Sequence, residues 1–171
     1  MSGVDPPTVR VRYLELLQAP AAAPDPSDGE CIVLERLTRA DYLALYRRVG
    51  EPVLWDQRLR LPPAALEALL AGESLKLYVL RSASGHAIGL CEFDRAGFPD
   101  IELKNFGVVP EMWGHGLGRW LLAVALRCEW DSKPSRIWLH TDNWDHPAAL
   151  HLYEWVGFRI YAERDEDPGP L

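Results

Sequence analysis

The sequence is poor in cysteine, short of basic charge and without a long apolar run, and each shortage removes a class of protein. Cys31, Cys91 and Cys128 are widely separated, and each lies in an apolar stretch. An odd, scattered set forms neither a disulfide framework nor a metal-ligand spacing. The three are expected as small buried core residues in a reducing compartment, and no metal site is expected. Lysine and arginine number 18 against 25 aspartates and glutamates, a formal charge of −7. That balance argues against nucleic acid as the main partner and is compatible with an amine-bearing one. The longest apolar stretch, Trp120 to Leu126, is far too short to span a bilayer. The opening MSGVDPPTVRVRY has no signal-peptide core, so the expectation is a cytoplasmic protein with no membrane partner.

What is present, 171 residues with 48% hydrophobic content, suffices for one globular domain with a packed core. Val9 to Leu17 alternates and reads as a strand, although its LELL portion would serve a helix equally well. Residues 18–29, QAPAAAPDPSDG, lack periodicity and read as an exposed loop before the next strand, CIVLERL. Residues 1–31 are therefore expected as a leading strand and Pro/Ala-rich loop, and 32–171 as the domain proper. Thr38 caps an expected helix whose Tyr42, Leu45 and Val49 share a face and whose Gly50 ends it. PPAALEALLAGE is a second helix, opened by proline and stopped by Gly72. KLYVLRS, the turn Ala83-Ser84-Gly85 and HAIGLCEFDR make a hairpin, and IELKNFGVV a third strand of a meander. From Gly114 the period becomes helical, with Leu117, Trp120, Leu121, Val124 and Cys128 on one expected buried stripe. RIWLHTD follows as a strand, then a helix from Pro147 to Gly157 and a last strand, FRIYAER. The class is α/β, with strand–helix–strand crossovers confined to the second half.

The stretch PEMWGHGLGRWLLAVALR places glycines 114, 116 and 118 on alternate positions just ahead of a helix. Without Cβ atoms a ligand can approach the main chain, and the first N–H groups of a helix have no intrahelical partner. The pairing makes a phosphate cradle, or else a tight turn in which glycine serves packing alone. A mononucleotide loop is excluded, because Gly118 is followed by Arg119 and Trp120 rather than Lys and Ser/Thr. A dinucleotide fingerprint is excluded by the G-H-G-L-G spacing.

FGVVPEMWGHGLGRWLL resembles motif A of the GNAT superfamily of acyl-CoA dependent N-acyltransferases, through Val108, Pro110, Gly116 and Gly118. HPAALHLYEWVGF is similar to a second family segment through Pro147, Ala149, Leu152, Tyr153, Gly157 and Phe158. The resemblance covers residues 32–162. It implies a GNAT fold, a mixed central sheet of six to seven strands flanked by about four helices.

It also implies roles. Backbone amides from Trp113 through Gly114, His115, Gly116, Leu117, Gly118 and Arg119 would face the pyrophosphate of acetyl-CoA. Phe106, Gly107 and Val108 would pair with the pantetheine arm. Trp113 stands where glutamine or arginine is usual, and His146 where asparagine is, with Asn143 an alternative for that role. Tyr153 matches a tyrosine that acts as general acid to the departing thiolate; a core tyrosine is its plain alternative. Glu102, nominally on one face with Lys104, Phe106 and Val108, is the first candidate base, or half of a solvated ion pair. His140 is the second, with an unperturbed pKa of about 6.5 suited to the task. Trp55, Asp56 and Arg58, between the first two helices, are candidate acceptor-binding residues or surface packing.

The function implied is acetyl transfer from acetyl-CoA to a primary amine by direct attack. The alternative is a GNAT-like module that binds acyl-CoA as a sensor or docking domain. Exposed tryptophans leave room for a homodimer.

Overall fold

The computed structural model of the protein describes residues 8–166, which hold seven strands and four α-helices. They run β1 (Val9–Leu16), β2 (Cys31–Leu34), α1 (Arg39–Gly50), α2 (Pro63–Ala71), β3 (Leu75–Arg81), β4 (Ala87–Asp94), β5 (Asp100–Val108), α3 (Leu117–Trp130), β6 (Arg136–Asp142), α4 (Ala149–Val156) and β7 (Arg159–Glu166). The helix signals operate as chemistry dictates. Thr38 Oγ1 accepts from the Asp41 amide at 3.1 Å and satisfies one orphan donor of α1. Pro63 opens α2, where its missing N–H costs nothing.

All seven strands form one sheet in the order β2-β3-β4-β5-β6-β1-β7. Every neighbouring pair is antiparallel except β5 and β6. The leading segment, outside the family resemblance, is thus the inner strand β1, with Tyr13 opposite His140 on one side and Ala162 on the other. Its apolar content favours that place. Leu14 and Leu16 are sealed, and an edge position would leave such a strand half-solvated. To reach β2 at the far edge the chain must cross the sheet. It passes over α3, where Arg127 Nη1 donates to the Pro20 carbonyl at 2.8 Å, before Cys31 enters β2.

α1 packs on β4 and β5 from one side, while α3 packs on β3, β4 and β5 from the other. Gly107 of β5 is required by the first contact, since a Cβ there would lie 2.6 Å from Val49 Cγ1. The α3 stripe is rotated from the expected one. Leu117, Leu121, Leu122, Ala125, Leu126 and Glu129 are buried, whereas Trp120 and Val124 are half-buried and Cys128 is exposed. The apolar residues of this helix wrap too far round for periodicity alone to choose its inner face, and the sheet chooses it. Glu129 is tolerated inside because Tyr78 Oη and Arg95 Nε each donate to it at 2.7 Å. Cys31 is also exposed, on the edge strand, so only Cys91 is the buried cysteine expected.

A bulge supplies a second correction. Glu92 pairs with Asn105 and Phe93 with Leu103, so Lys104 is skipped and the alternation of β5 inverts there. Glu102 consequently shares a face with Asn105 and not with Phe106 and Val108.

Candidate functional site

β5 and β6 pair only at Asp100–Arg136, Ile101–Ile137 and Glu102–Trp138. Beyond that point they diverge, while β6 stays paired with β1 on its other edge from Ile137 to Asp142. The upper β5 edge is left with main-chain groups free of a β6 partner, at the mouth of a cleft of about 560 Å³. Phe106, Gly107 and Val108 line one wall, Gly114, Gly116, Leu117, Gly118 and Arg119 another, and His146, Ala148, Ala149, His151 and Leu152 a third.

The glycine loop reaches its shape through left-handed residues, Gly114 at φ +79° and Gly116 at φ +78°. A side-chain-bearing residue would cost about 1–2 kcal/mol at such a position. Gly116 caps α3, and the first helical bond runs from the Trp120 amide to its carbonyl at 3.2 Å. The amides of residues 114–119 have no hydrogen-bond acceptor among the described residues. An anion held there gains those donors and the positive end of the helix dipole, about 0.3–1 kcal/mol from the dipole at an exposed site.

Trp113 is 43% exposed and turns its indole N–H back onto the Val108 carbonyl at 2.8 Å. Its ring meets His146 edge-on at 4.6 Å, joining the loop to the start of α4. His146 Nδ1 accepts from the Ala148 amide at 3.1 Å, which puts its proton on Nε2 in the neutral form and organises the turn into α4. Asn143 is already engaged, since its Oδ1 accepts from the Arg10 amide at 3.1 Å and ties β1 to the β6–α4 loop. Arg119 lies over the Trp155 ring at 4.6 Å. His115 is exposed and does not line the cleft.

Tyr153 is buried between Phe106, at 6.1 Å between ring centres, and Phe158 at 5.9 Å. Its hydroxyl makes no hydrogen bond among the described residues and is not sealed off. Burial pushes its pKa well above the ordinary tyrosine value, and the charge of Asp145 pushes the same way, so it holds its proton at neutral pH. On the other face Glu102 and His140 come together across the point of divergence, with His140 Nε2 at 3.9 Å from a Glu102 oxygen. Lys104 Nζ stands 3.3 Å from the other oxygen of Glu102.

The three loop candidates separate. Trp55 lines the cleft and packs against Tyr46, the rings tilted by 40° with centres 5.4 Å apart. Asp56 is paired with Arg60. Arg58 turns inward to the fully buried Glu92, which also accepts from Tyr42 Oη at 2.5 Å and Asn105 Nδ2 at 3.3 Å. This cluster fastens the α1–α2 loop to β4 and β5. Its partners lie far apart in sequence, and no local spacing announces them.

The sequence reading also missed Asp145. Its side chain accepts from the Thr141 hydroxyl and from the Asp142 amide at 3.3 Å. The side chain is half-buried; desolvation pushes its pKa up, the donors Thr141 and the Asp142 amide hold it down in part, and the Asp142 charge adds to the rise. The signal was an acidic residue two positions before Pro147, in a segment read only for its asparagine and histidine. Among the described residues no group of three His, Cys, Asp or Glu side chains is placed to hold a metal. No helix there is long and apolar enough to cross a membrane.

The chain is 30% identical over 136 residues to the N-alpha-acetyltransferase RimI of Mycobacterium tuberculosis, an alignment covering 78% of this chain and 82% of that one. An 81-residue stretch, 43% of the chain, is 37% identical to the mycothiol acetyltransferase of Nocardiopsis dassonvillei and spans 24% of its length. The crystal structure of a GCN5-related N-acetyltransferase from Sphaerobacter thermophilus superposes with a TM-score of 0.68 at 18% identity, over 96% of this chain and 54% of that one. That last likeness is one of fold. The chain therefore spans about a quarter of one relative and about half of another. Residues 35–158, which run from the end of β2 through both glycine-bounded helices, match the model of the Acetyltransferase (GNAT) family, and the chain belongs to that family.

Proposed function

We propose that the protein transfers an acetyl group from acetyl-CoA to a primary amine. The observation that carries this reading is the row of unpaired amides at 114–119, which opens onto the unpaired edge of β5 within one cleft. The residues present fit the cosubstrate: donors for a diphosphate, main-chain groups of β5 without a β6 partner for an amide-bearing arm, the Val108 carbonyl being held by Trp113, and a protonated phenol near the far end. Both curated relatives are named as acetyltransferases, which supports the same reading.

Acetyl-CoA supplies an acyl group on a thiol leaving group. The protein's part is to orient it and to handle two protons. Tyr153 keeps its proton at neutral pH, as its raised pKa requires, and is the group we assign to hydrogen-bond the departing thiolate as its charge develops. An acceptor amine loses its proton as it attacks, and the Glu102–His140 pair is the group we assign to receive it. His140 is 44% exposed and can pass the proton to water. Direct attack needs no enzyme nucleophile, and Cys91 is unsuited to be one, because burial pushes its thiol well above the ordinary range. The reading makes the protein a cytoplasmic enzyme without a metal, a nucleic acid or a membrane partner, and allows a homodimer.

Calorimetric titration with acetyl-CoA, paired with a thiol-release assay over a panel of amines, tests it. Binding with turnover on at least one amine is expected. Binding with no turnover on any amine would favour the sensor.

A further inference from the structure

The cleft has walls on both faces of the sheet, and the two differ in chemistry. On the α3 and α4 side stand the glycine loop and the titratable lining residues, Arg119, His146 and His151. On the α1 side the lining is Val49, Val53 and Trp55, with no charge and no hydroxyl. Gly107 marks the division. A Cβ there would lie 2.6 Å from Val49 Cγ1 and 3.7 Å from Trp55 Cη2, whereas the ring of its neighbour Phe106 packs on Tyr153 of α4. The charged residues of the α1–α2 loop around Trp55 are engaged elsewhere. Arg58 turns in to Glu92, Asp56 is paired with Arg60, and Glu51 is exposed and outside the lining. A charged body entering from this side meets no counter-charge from that loop, and pressing it against Val49 and Val53 is costly.

A second observation comes from the backbone. Leu54 lies in the left-handed region at φ +60°, which residues bearing a branched side chain seldom adopt, and it is 72% exposed. The turn is fixed by the Leu54 amide on the Glu51 carbonyl at 3.2 Å and the Trp55 amide on the Gly50 carbonyl at 3.0 Å. Strain of this kind collects at ligand sites. Here both chain neighbours of the strained residue, Val53 and Trp55, line the cleft, and a leucine is left uncovered beside them. We propose that the acceptor is a primary amine on an apolar body, an alkyl or arylalkyl group, which seats on Val49, Val53 and Trp55 and covers Leu54. The wall is continuous with the cleft and lies on the sheet face that also carries Glu102 and His140, so a body seated there presents its amine at the gap between β5 and β6. The inference rests on the acetyl-transfer reading for the reaction, but the apolar seat stands on its own lining.

Two readouts test it, one of them independent of turnover. The first is binding of phenethyl alcohol, which has the body without the amine, to the wild type, to Leu54→Ala and to Val53→Asp. Acetyl-CoA affinity and melting temperature are followed in parallel. Saturable binding to the wild type is expected, about 3–10-fold weaker in Leu54→Ala and at least about 10-fold weaker in Val53→Asp, with acetyl-CoA affinity unchanged. Should Val53→Asp lower the melting temperature, the exposed Leu54→Ala decides alone. The second readout is kcat/KM for phenethylamine and butylamine against β-alanine and putrescine. The apolar amines should lead by about 10–100-fold, mostly through KM, and Leu54→Ala should narrow that lead. Absence of saturable binding, or equal binding of phenethyl alcohol by wild type and Leu54→Ala, overturns the proposal. Turnover of β-alanine or putrescine as efficient as that of the apolar amines also overturns it, and leaves the transferase reading in place. Saturable, Leu54-sensitive binding in a protein that acylates none of the four amines would leave the apolar seat standing and count against the transferase reading.

Discussion

Residues inside this fold keep their charge or lose it according to their partners. Arg58 and Glu92 are the sharpest case, because either one alone would leave a buried ion without its counter-charge. Arg58→Ala should destabilise the protein by about 3–5 kcal/mol in denaturant unfolding. A cost under about 1 kcal/mol, typical of a surface pair, would contradict the buried geometry. Asp145 is the opposite case, with a carboxyl raised in the folded state. The folded protein then binds its proton more readily than the unfolded chain, so stability falls as pH rises from the ordinary value of 3.8 through the raised one. Asp145→Asn should therefore match the wild type in acid and exceed it at neutral pH, a difference that paired unfolding curves will show. Tyr153 carries a prediction for rate. Tyr153→Phe should lower kcat by about 10²–10⁴-fold, with acetyl-CoA affinity preserved. Since burial raises its pKa above 10, activity should not decline through loss of its proton at any pH below that value.

At the scale of elements, sequence and structure agree wherever a local rule fixes the outcome. The Thr38 cap, the Pro63 start and the hairpin turn at residues 83–85 each depend on a few neighbouring atoms, and each is found where the spacing puts it. Disagreement begins where the outcome depends on distant partners. The Lys104 bulge is set by how β4 and β5 register, and it moves Glu102 to the face opposite Phe106, which alternation along one strand cannot show. The α3 stripe depends on which side meets the sheet. Asp145 emerges only when the β6–α4 loop folds back on Thr141. β1 is the largest such case, a strand whose place is decided by two partners more than a hundred residues away. Leu14→Ala should cost about 2–5 kcal/mol, the loss expected for a sealed inner strand. A loss below about 0.5 kcal/mol would place β1 outside the cooperative unit.

For the molecule as a whole, the parallel pair β5–β6 is where an otherwise antiparallel sheet parts, and the parting makes the cleft. The glycine loop stands above it, Tyr153 lies on one face of the sheet, and Glu102 with His140 lies on the other. In the proposed reaction an amine and an acyl carrier would meet between β5 and β6 without either passing through a packed core. The negative formal charge of the chain favours the amine's approach over that of a polyanion.

The central claim is that the amides of residues 114–119 are free in the protein and become donors to the diphosphate of acetyl-CoA. Residue-resolved amide hydrogen exchange, measured with and without acetyl-CoA, tests it most directly. The account predicts fast exchange at these six positions in the free protein and marked slowing on saturation. Protection already present in the free protein, or exchange that acetyl-CoA leaves unchanged, would contradict it.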